Sequence, residues 1–233
     1  MTDQEIYNEI MSDNLLQKYL EEDNYKRLYR NLKIKNSSIK FSELTAFLAA
    51  AGIDIVENGV VPVEAYKDNK SLTSFDFSKI TSIEASAFEG SGIRKVVLTK
   101  SQSVGQAAFK DSDVEEVYLK DGVELGSAAF ARCKNLKELY ISGGVKLSPL
   151  VFASCRNLEE VVFDDGREDW PDDLFANVKK IDYVTLPYPF RLQIFDLDID
   201  IDVLYLNCSR DENIDIDNIR RLWTGIKEIE FLK

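Results

Sequence analysis

The chain of 233 residues carries 29 basic and 41 acidic side chains, a formal net charge of −12, and contains no histidine. With 45% apolar residues it can bury a sizeable core, which excludes a mainly disordered chain. The lack of imidazole excludes Ser-His-Asp and Cys-His catalysis and zinc sites with histidine ligands.

The N-terminal residues and the cysteines bear on the compartment. Residues 1–10 are polar and acidic and have no basic segment followed by an apolar run, so they predict no secretory signal. Because no stretch approaches about 18 consecutive apolar residues, no membrane span is expected. Three cysteines, Cys133, Cys155 and Cys208, are an odd number for a secreted disulfide framework. These features predict a reduced, cytoplasmic protein.

Helical patterns occupy residues 1–58, which we predict to be a helical N-terminal region. Ser42 is expected to cap a helix over residues 43–51, which Gly52 would end. The region is interpreted either as an end cap for the rest of the fold or as a separate module with its own partner. Before Ser42, apolar residues recur at helical spacing in two runs: Ile6, Ile10, Leu15, Leu16, Tyr19 and Leu20, then Tyr25, Leu28, Tyr29 and Leu32.

Two phrases repeat through the rest of the chain. The first is Ala-Phe, which occurs as Ala87-Phe88, Ala108-Phe109 and Ala129-Phe130 and continues in degenerate form as Val151-Phe152 and Leu174-Phe175. The Phe residues are spaced by 21, 21, 22 and 23. A large apolar residue precedes each Phe by five positions: Ile83, Val104, Leu125, Leu147 and Trp170. The second phrase, apolar-x-x-apolar-x-apolar, has eight copies: Leu72-Phe75-Phe77, Ile93-Val96-Leu98, Val114-Val117-Leu119, Leu136-Leu139-Ile141, Leu158-Val161-Phe163, Ile181-Val184-Leu186, Ile201-Leu204-Leu206 and Ile226-Ile229-Phe231.

The second phrase ends in an alternation of period two, which predicts a short strand with one face buried. One unit cannot bury its own apolar face, but stacked units share a continuous core and form a parallel sheet along one side. We therefore predict an α/β repeat solenoid over residues 59–210, in which each Phe enters the core beneath the other wall. Residues 211–233 are predicted to close it, with a short helix capped by Asp217 and ended by Gly225 and a final strand.

One copy of the repeat, residues 123–141, reads Val-Glu-Leu-Gly-Ser-Ala-Ala-Phe-Ala-Arg-Cys-Lys-Asn-Leu-Lys-Glu-Leu-Tyr-Ile. This segment resembles the BspA-type leucine-rich repeat of bacteria, which also occurs in some phages and protists. The resemblance covers roughly residues 71–206. It implies a leucine-rich-repeat right-handed superhelix with parallel strands on one face. Members of that family usually act in binding, often as surface adhesins.

Cys133 and Cys155 hold a fixed place in the repeat. Each follows the Phe of its own unit by three residues, and serine holds the matching place in two other units, at Ser91 and Ser112. Because this position takes small side chains, the thiols are predicted to fill the core rather than to serve redox or metal chemistry.

Acidic residues are concentrated towards the C-terminus. Residues 157–217 carry 17 acidic and 5 basic side chains, a net charge of −12, whereas the rest of the chain carries 24 of each. Such a surface is either a solvated face or a docking surface for a basic partner. Within it, the alternating carboxylates at residues 196–202 would share one face of a strand. Binding of a hard cation such as calcium therefore remains an open interpretation, although the residue spacing of an EF-hand is absent. No cofactor is predicted.

The outward-facing residues of the predicted strands are the candidate functional residues. Exposed tyrosines beside charged residues are typical anchors of a protein interface, although they also serve cross-strand packing. They should form one column of Lys95, Glu116, Glu138 and Glu160, a second of Val97, Tyr118, Tyr140 and Val162 that Tyr205 continues, and a third of Thr99, Lys120, Ser142 and Asp164.

These features predict a non-enzymatic protein that binds a protein partner on the sheet face. The partner is expected to carry a basic patch. Direct nucleic-acid binding is disfavoured because no basic stripe is present to neutralise phosphates. Two alternatives remain open: a phage or mobile-element inhibitor that blocks a host nucleic-acid-binding enzyme through its acidic surface, and a surface or virion adhesin. No membrane contact is expected, and the oligomeric state is open.

Overall fold

The computed structural model describes residues 2–21, 25–50, 55–120, 122–164, 171, 173–187, 199–208 and 214–232. Within these ranges the helices are α1 (Asp3–Met11), α2 (Asn14–Glu21), α3 (Tyr25–Lys35), α4 (Phe41–Ala50) and α5 (Ile216–Leu222). None of them combines the length and the apolar character that a membrane span requires.

The strands of the described ranges form two parallel sheets. In chain order the strands are β1 (Val60–Val61), β2 (Ser82–Ile83), β3 (Lys95–Leu98), β4 (Ser103–Val104), β5 (Glu116–Leu119), β6 (Glu124–Leu125), β7 (Glu138–Ile141), β8 (Lys146–Leu147), β9 (Glu160–Phe163), β10 (Lys180–Pro187), β11 (Asp200–Asn207) and β12 (Ile226–Phe231). A seven-stranded sheet runs β12-β11-β10-β9-β7-β5-β3, and a narrow second sheet runs β1-β2-β4-β6-β8. The predicted repeat solenoid with parallel strands on one face, preceded by a helical region, is confirmed.

The helical region packs directly against the first turn of the solenoid. Apolar side chains of α1 to α4 belong to the same buried cluster as the repeat core. The Thr45 hydroxyl on α4 donates a hydrogen bond to the Ala65 carbonyl, and Lys40 lies 3.3 Å from the Asp68 carboxylate. This continuity favours the interpretation of the region as a cap, since a solenoid must cover its terminal unit.

Helix α4 begins one residue earlier than Ser42, so the prediction that Ser42 caps it is wrong. Phe41 is already helical, and Ser42 lies in the first turn. The side chain that meets the start of this helix is Glu43, whose carboxylate accepts a hydrogen bond from the Lys40 N–H at 3.1 Å. The predicted stop, Gly52, lies outside the described residues.

A stack of aromatic rings runs through the core. Phe88, Phe109 and Phe130 lie nearly parallel, with ring centroids 5.1 and 4.9 Å apart. Phe152 and Phe175 extend the stack at 5.7 and 5.8 Å. Tyr66 begins it, 5.1 Å from Phe88, and the Phe pattern in the sequence did not reveal this member. We call these six residues the ring stack.

Each ring lies on a turn in which two residues have a left-handed backbone conformation, with positive φ. They stand two positions before the ring and two positions after it. The residues before are Glu64, Ser86, Ala107, Ala128, Leu150 and Asp173, and those after are Asp68, Gly90, Asp111, Arg132, Ser154 and Asn177. A non-glycine residue in this conformation costs about 1 kcal/mol. Hydrogen bonds between successive turns offset that cost; for example, the Phe109 N–H donates to the Ala129 carbonyl at 2.8 Å.

The first copy of the strand phrase does not form a strand, contrary to the prediction. Phe77 is buried as expected, but no residue from Leu72 to Phe77 is in a strand. The buried amide of Gln102 donates hydrogen bonds to the carbonyls of Phe77 and Ile80, both at 2.9 Å. The Gln102 side chain therefore bonds backbone carbonyls at the end of this segment and just after it, beside the edge strand β3.

The C-terminal helix is capped by Asp215 rather than by the predicted Asp217. The Asp215 carboxylate accepts a hydrogen bond at 2.8 Å from the N–H three residues later, which is the usual role of an N-cap. Asp217 lies in the first turn of α5. The last helical residue is Leu222, and the buried Trp223 is the C-cap, two residues before the expected Gly225.

The repeat cysteines fill the core, as predicted. Cys133 and Cys155 are fully buried, and their thiols donate hydrogen bonds to the carbonyls of Phe109 and Phe130 at 3.1 and 3.2 Å. The Ser112 hydroxyl also donates to the Phe109 carbonyl, at 2.5 Å, but this Phe belongs to its own repeat rather than to the preceding one. The hydrogen bond with Cys133, together with burial, raises the pKa of Cys155 well above its usual value.

Shortening Phe109 to alanine should remove about 3–5 kcal/mol from the free energy of unfolding, because the ring is fully buried between two neighbours in the stack. Urea unfolding followed by circular dichroism measures the loss. Val97→Ala on the exposed sheet face is the control and should change stability by less than about 0.5 kcal/mol. Equal effects of the two substitutions would show that the ring stack does not dominate the core.

Candidate interaction surface

The first two predicted columns lie side by side on the outer face of the seven-stranded sheet. The parallel register pairs Lys95 with Glu116, Glu116 with Glu138, and Glu138 with Glu160. The second column pairs Val97, Tyr118, Tyr140 and Val162 in the same way. All eight side chains are exposed or half-buried. We call this outer surface the sheet face.

Both columns continue across the C-terminal strands. The first reaches Tyr183, Val203 and Glu228, and the second reaches Thr185, Tyr205 and Glu230. Of these residues, Tyr205 alone was predicted from the sequence. Tyr183 was missed although it holds the same place in its repeat phrase as Glu160, directly before the second apolar residue, and that alignment could have found it.

The tyrosines Tyr118 and Tyr140 stack on adjacent strands. Their ring centroids are 6.4 Å apart and their planes differ by 28°. The Tyr118 hydroxyl donates a hydrogen bond of 2.9 Å to Glu138, and the Tyr140 hydroxyl donates one to Asp164. Each phenol therefore bonds a carboxylate on the next strand or just beyond it.

Two lysines of the chain neutralise this part of the sheet face. The Lys95 ammonium lies 4.8 Å from the centre of the Tyr118 ring and also pairs with Glu116. Lys120 lies 5.7 Å from the centre of the Tyr140 ring. Both distances are in the range of a cation–π contact. In the N-terminal half of the sheet face, the lysines, the tyrosines and the carboxylates therefore form one network of contacts within the chain.

The third predicted column is only partly exposed. Thr99, Lys120 and Asp164 face solvent, but Ser142 is 6% exposed, so the prediction is wrong for this residue. Ser142 follows β7, where its N–H donates to the Leu119 carbonyl at 2.9 Å. This bond extends the sheet pairing one residue beyond β7 and holds Ser142 against the neighbouring strand.

A row of ion pairs borders the sheet face on the side where the strands begin. Arg94 pairs with Glu115 at 3.8 Å, and Lys137 with Glu159 at 2.6 Å. Asp202 bridges two lysines at the C-terminal end, Lys180 at 2.7 Å and Lys227 at 2.6 Å. Exposed pairs of this kind add little stability, but they balance the charge along the border.

The aspartate run at residues 196–202 is only partly described. Asp196 and Asp198 lie outside the described residues. Asp200 is exposed. Asp202 bonds Lys180 and Lys227, and both lysines lower the pKa of its carboxyl, Lys180 with the larger effect. No group of three or more metal-ligating side chains occurs within the described ranges.

The hydrogen bond to Glu138 raises the pKa of Tyr118 to about 12, with burial and the charges of Glu138 and Glu116 adding to the effect. Because the folded value lies above the ordinary value of 10.0, the bond stabilises the fold fully below pH 10. That contribution is lost as the pH rises through 12.

Glu138→Gln should bring the pKa of Tyr118 back towards 10.0, because the amide removes the carboxylate charge next to the phenol. Tyrosine ring carbon shifts, followed by NMR over an alkaline pH series, measure the change. Glu124→Gln on the narrow sheet is the control and should leave Tyr118 unchanged. A wild-type Tyr118 that already titrates near 10 would contradict the hydrogen bond.

Comparison with known proteins identifies the repeat. A family described as BspA type leucine rich repeat region matches residues 60–187 in six copies, which is more than half of the chain. No curated protein matches the sequence significantly. A solved leucine-rich repeat protein from Bacteroides ovatus ATCC 8483 is 14% identical; the match covers 77% of this chain but 65% of that one, with a TM-score of 0.33. On the family match, the chain belongs to the BspA-type leucine-rich repeat family.

Proposed function

We propose that this chain is a non-enzymatic binding protein that recognises a protein partner with a basic patch on its sheet face. The observation that carries this proposal is the pair of in-register columns, which place four tyrosines next to carboxylates on a sheet of seven parallel strands. Membership of a repeat family supports binding in general. The partner chemistry is inferred from the face itself.

Aromatic side chains on a rigid sheet suit recognition. Tyr118 and Tyr140 are held by hydrogen bonds to carboxylates and by packing against each other, so little side-chain freedom is lost on binding. Tyrosine is enriched in protein interfaces because it adds a large apolar area with a polar tip. Cross-strand packing alone would also stack these rings, and a binding test separates the two roles.

The charge of the chain favours a basic partner. The net charge of −12 equals the charge carried by residues 157–217, a range that includes Glu160 on the sheet face. Such a field would attract a basic surface from a distance and raise the association rate, more strongly at low ionic strength. Tyr118 and Tyr140 would then supply the short-range contacts.

The double variant Tyr118→Arg/Tyr140→Arg tests the proposal, because it places two bulky cations at the centre of the tyrosine column. Immobilised wild-type chain and variant are incubated with lysate of the source cell, and the retained proteins are quantified by mass spectrometry. We expect one dominant partner on the wild type and at least a roughly tenfold loss on the variant, as for the removal of central interface anchors.

A matched control adds the same charge elsewhere. Ser103→Arg/Gln106→Arg lies on and just after strand β4 of the narrow sheet, where both side chains are exposed. This variant should retain the partner. A partner kept by the sheet-face variant, or lost equally from both, would contradict binding through the sheet face. Displacement of the partner by added nucleic acid would favour the inhibitor alternative.

A further inference from the structure

The sheet face carries two tyrosine pairs with almost the same geometry. The rings of Tyr118 and Tyr140 are 6.4 Å apart with their planes at 28°, and those of Tyr183 and Tyr205 are 6.3 Å apart, also at 28°. Their surroundings differ, and the difference indicates which pair can accept a basic side chain of a partner.

The first pair shows which chemistry this surface accepts. Lys95 lies over the Tyr118 ring and bonds the Glu116 carboxylate, so its ammonium contacts both a ring face and an acid. Lys120 lies over Tyr140. A cation of the chain itself therefore already occupies the place that a partner's basic side chain would take.

The second pair also combines stacked rings with nearby acids, but it differs from the first in its cations. In the part of the chain that the structure describes, no lysine or arginine lies over Tyr183 or Tyr205. The nearby lysines, Lys180 and Lys227, are held by the aspartates of the border row. Tyr183 is also 45% exposed, so its ring is accessible.

Three carboxylates surround this pair. Glu160 is the register partner of Tyr183, Glu230 is that of Tyr205, and Glu228 lies beside Glu230 on the edge strand β12. Among the described residues, none of the three has an ion-pair partner. Burial, followed by the charges around it, raises the pKa of Tyr205, in keeping with a negative local field.

We infer that Tyr183 and Tyr205, together with Glu160, Glu228 and Glu230, form a subsite for an arginine side chain of the protein partner. This inference rests on the proposed function and specifies where the basic patch docks. A guanidinium fits better than an ammonium because its flat face stacks on a tyrosine ring while its edge bonds a carboxylate with two parallel hydrogen bonds. Tyr183 and Tyr205 lie two and three strands from Tyr140, about 10 and about 14 Å at the usual strand spacing.

The probe for this subsite is N-acetyl-arginine amide, titrated into the full chain with carbon-13-labelled tyrosines. Ring resonances of Tyr183 and Tyr205 should shift and saturate, whereas those of Tyr118 and Tyr140 should move little because Lys95 and Lys120 occupy their rings. N-acetyl-citrulline amide, which is nearly isosteric but neutral, should produce no saturable shift.

Two charge-matched variants complete the test. Glu160→Gln/Glu230→Gln should weaken arginine binding roughly fivefold, the size expected for removing two exposed ionic contacts. Glu21→Gln/Glu57→Gln removes the same charge at exposed sites outside the sheet face and should leave the affinity unchanged.

Several results would overturn the inference: no saturable shift with arginine, equal shifts at the two tyrosine pairs, the same response to citrulline, or equal effects of the two variants. The proposed function is judged separately by partner capture. If the partner is lost from Tyr118→Arg/Tyr140→Arg while arginine fails to bind at Tyr183 and Tyr205, the sheet face still binds a partner and only the arginine subsite is wrong.

Discussion

The structure depends on a match between two distances. Rings of the ring stack are 4.9 to 5.8 Å apart, and neighbouring parallel strands lie about 4.8 Å apart. One ring and one strand can therefore be added in every turn without a change of register. The ring distance stays within this range although the ring-to-ring spacing in the sequence varies from 21 to 23 residues. The ring stack and the seven-stranded sheet therefore advance together from turn to turn.

The constant register also stacks like charges on the sheet face. Because parallel strands stay in register, the same position of each repeat is placed next to its copies, and three glutamates meet in one column. Like charges in such a column repel unless something bonds them. In the N-terminal half, Lys95 and the Tyr118 hydroxyl do so. In the C-terminal half the acids around Tyr183 and Tyr205 have no described counter-charge, which is why we place the arginine subsite there.

Much of the sheet face could be predicted from the sequence. The period-two end of each repeat phrase determines which side chains face outward, and the constant spacing determines their neighbours across strands. The same alignment places Tyr183 beside Glu160, so this residue was within reach of the pattern although it was not predicted. The hydrogen bonds of Tyr118 and Tyr140 could not be predicted, because they depend on side-chain directions rather than on spacing.

The features that the sequence patterns did not reveal lie where a residue departs from the repeat or makes a contact far along the chain. Tyr66 replaces Phe in the first ring position, so a search for Phe missed it. Gln102 bonds backbone carbonyls beside the first strand phrase, and no local pattern signals a contact 25 residues away. The left-handed turns were also hidden, because alanine, serine and leucine occupy positions where glycine would have been the usual signal.

Site-specific photocrosslinking in the source cell tests the central claim, that the sheet face is the binding surface. A benzoylphenylalanine at Val162, which lies between the two tyrosine pairs on the sheet face, is compared with one at the exposed Gln106, just after strand β4 of the narrow sheet. We predict a single dominant protein adduct at position 162 and none at 106. Adducts at 106 alone, or equal adducts at both positions, would contradict binding through the sheet face.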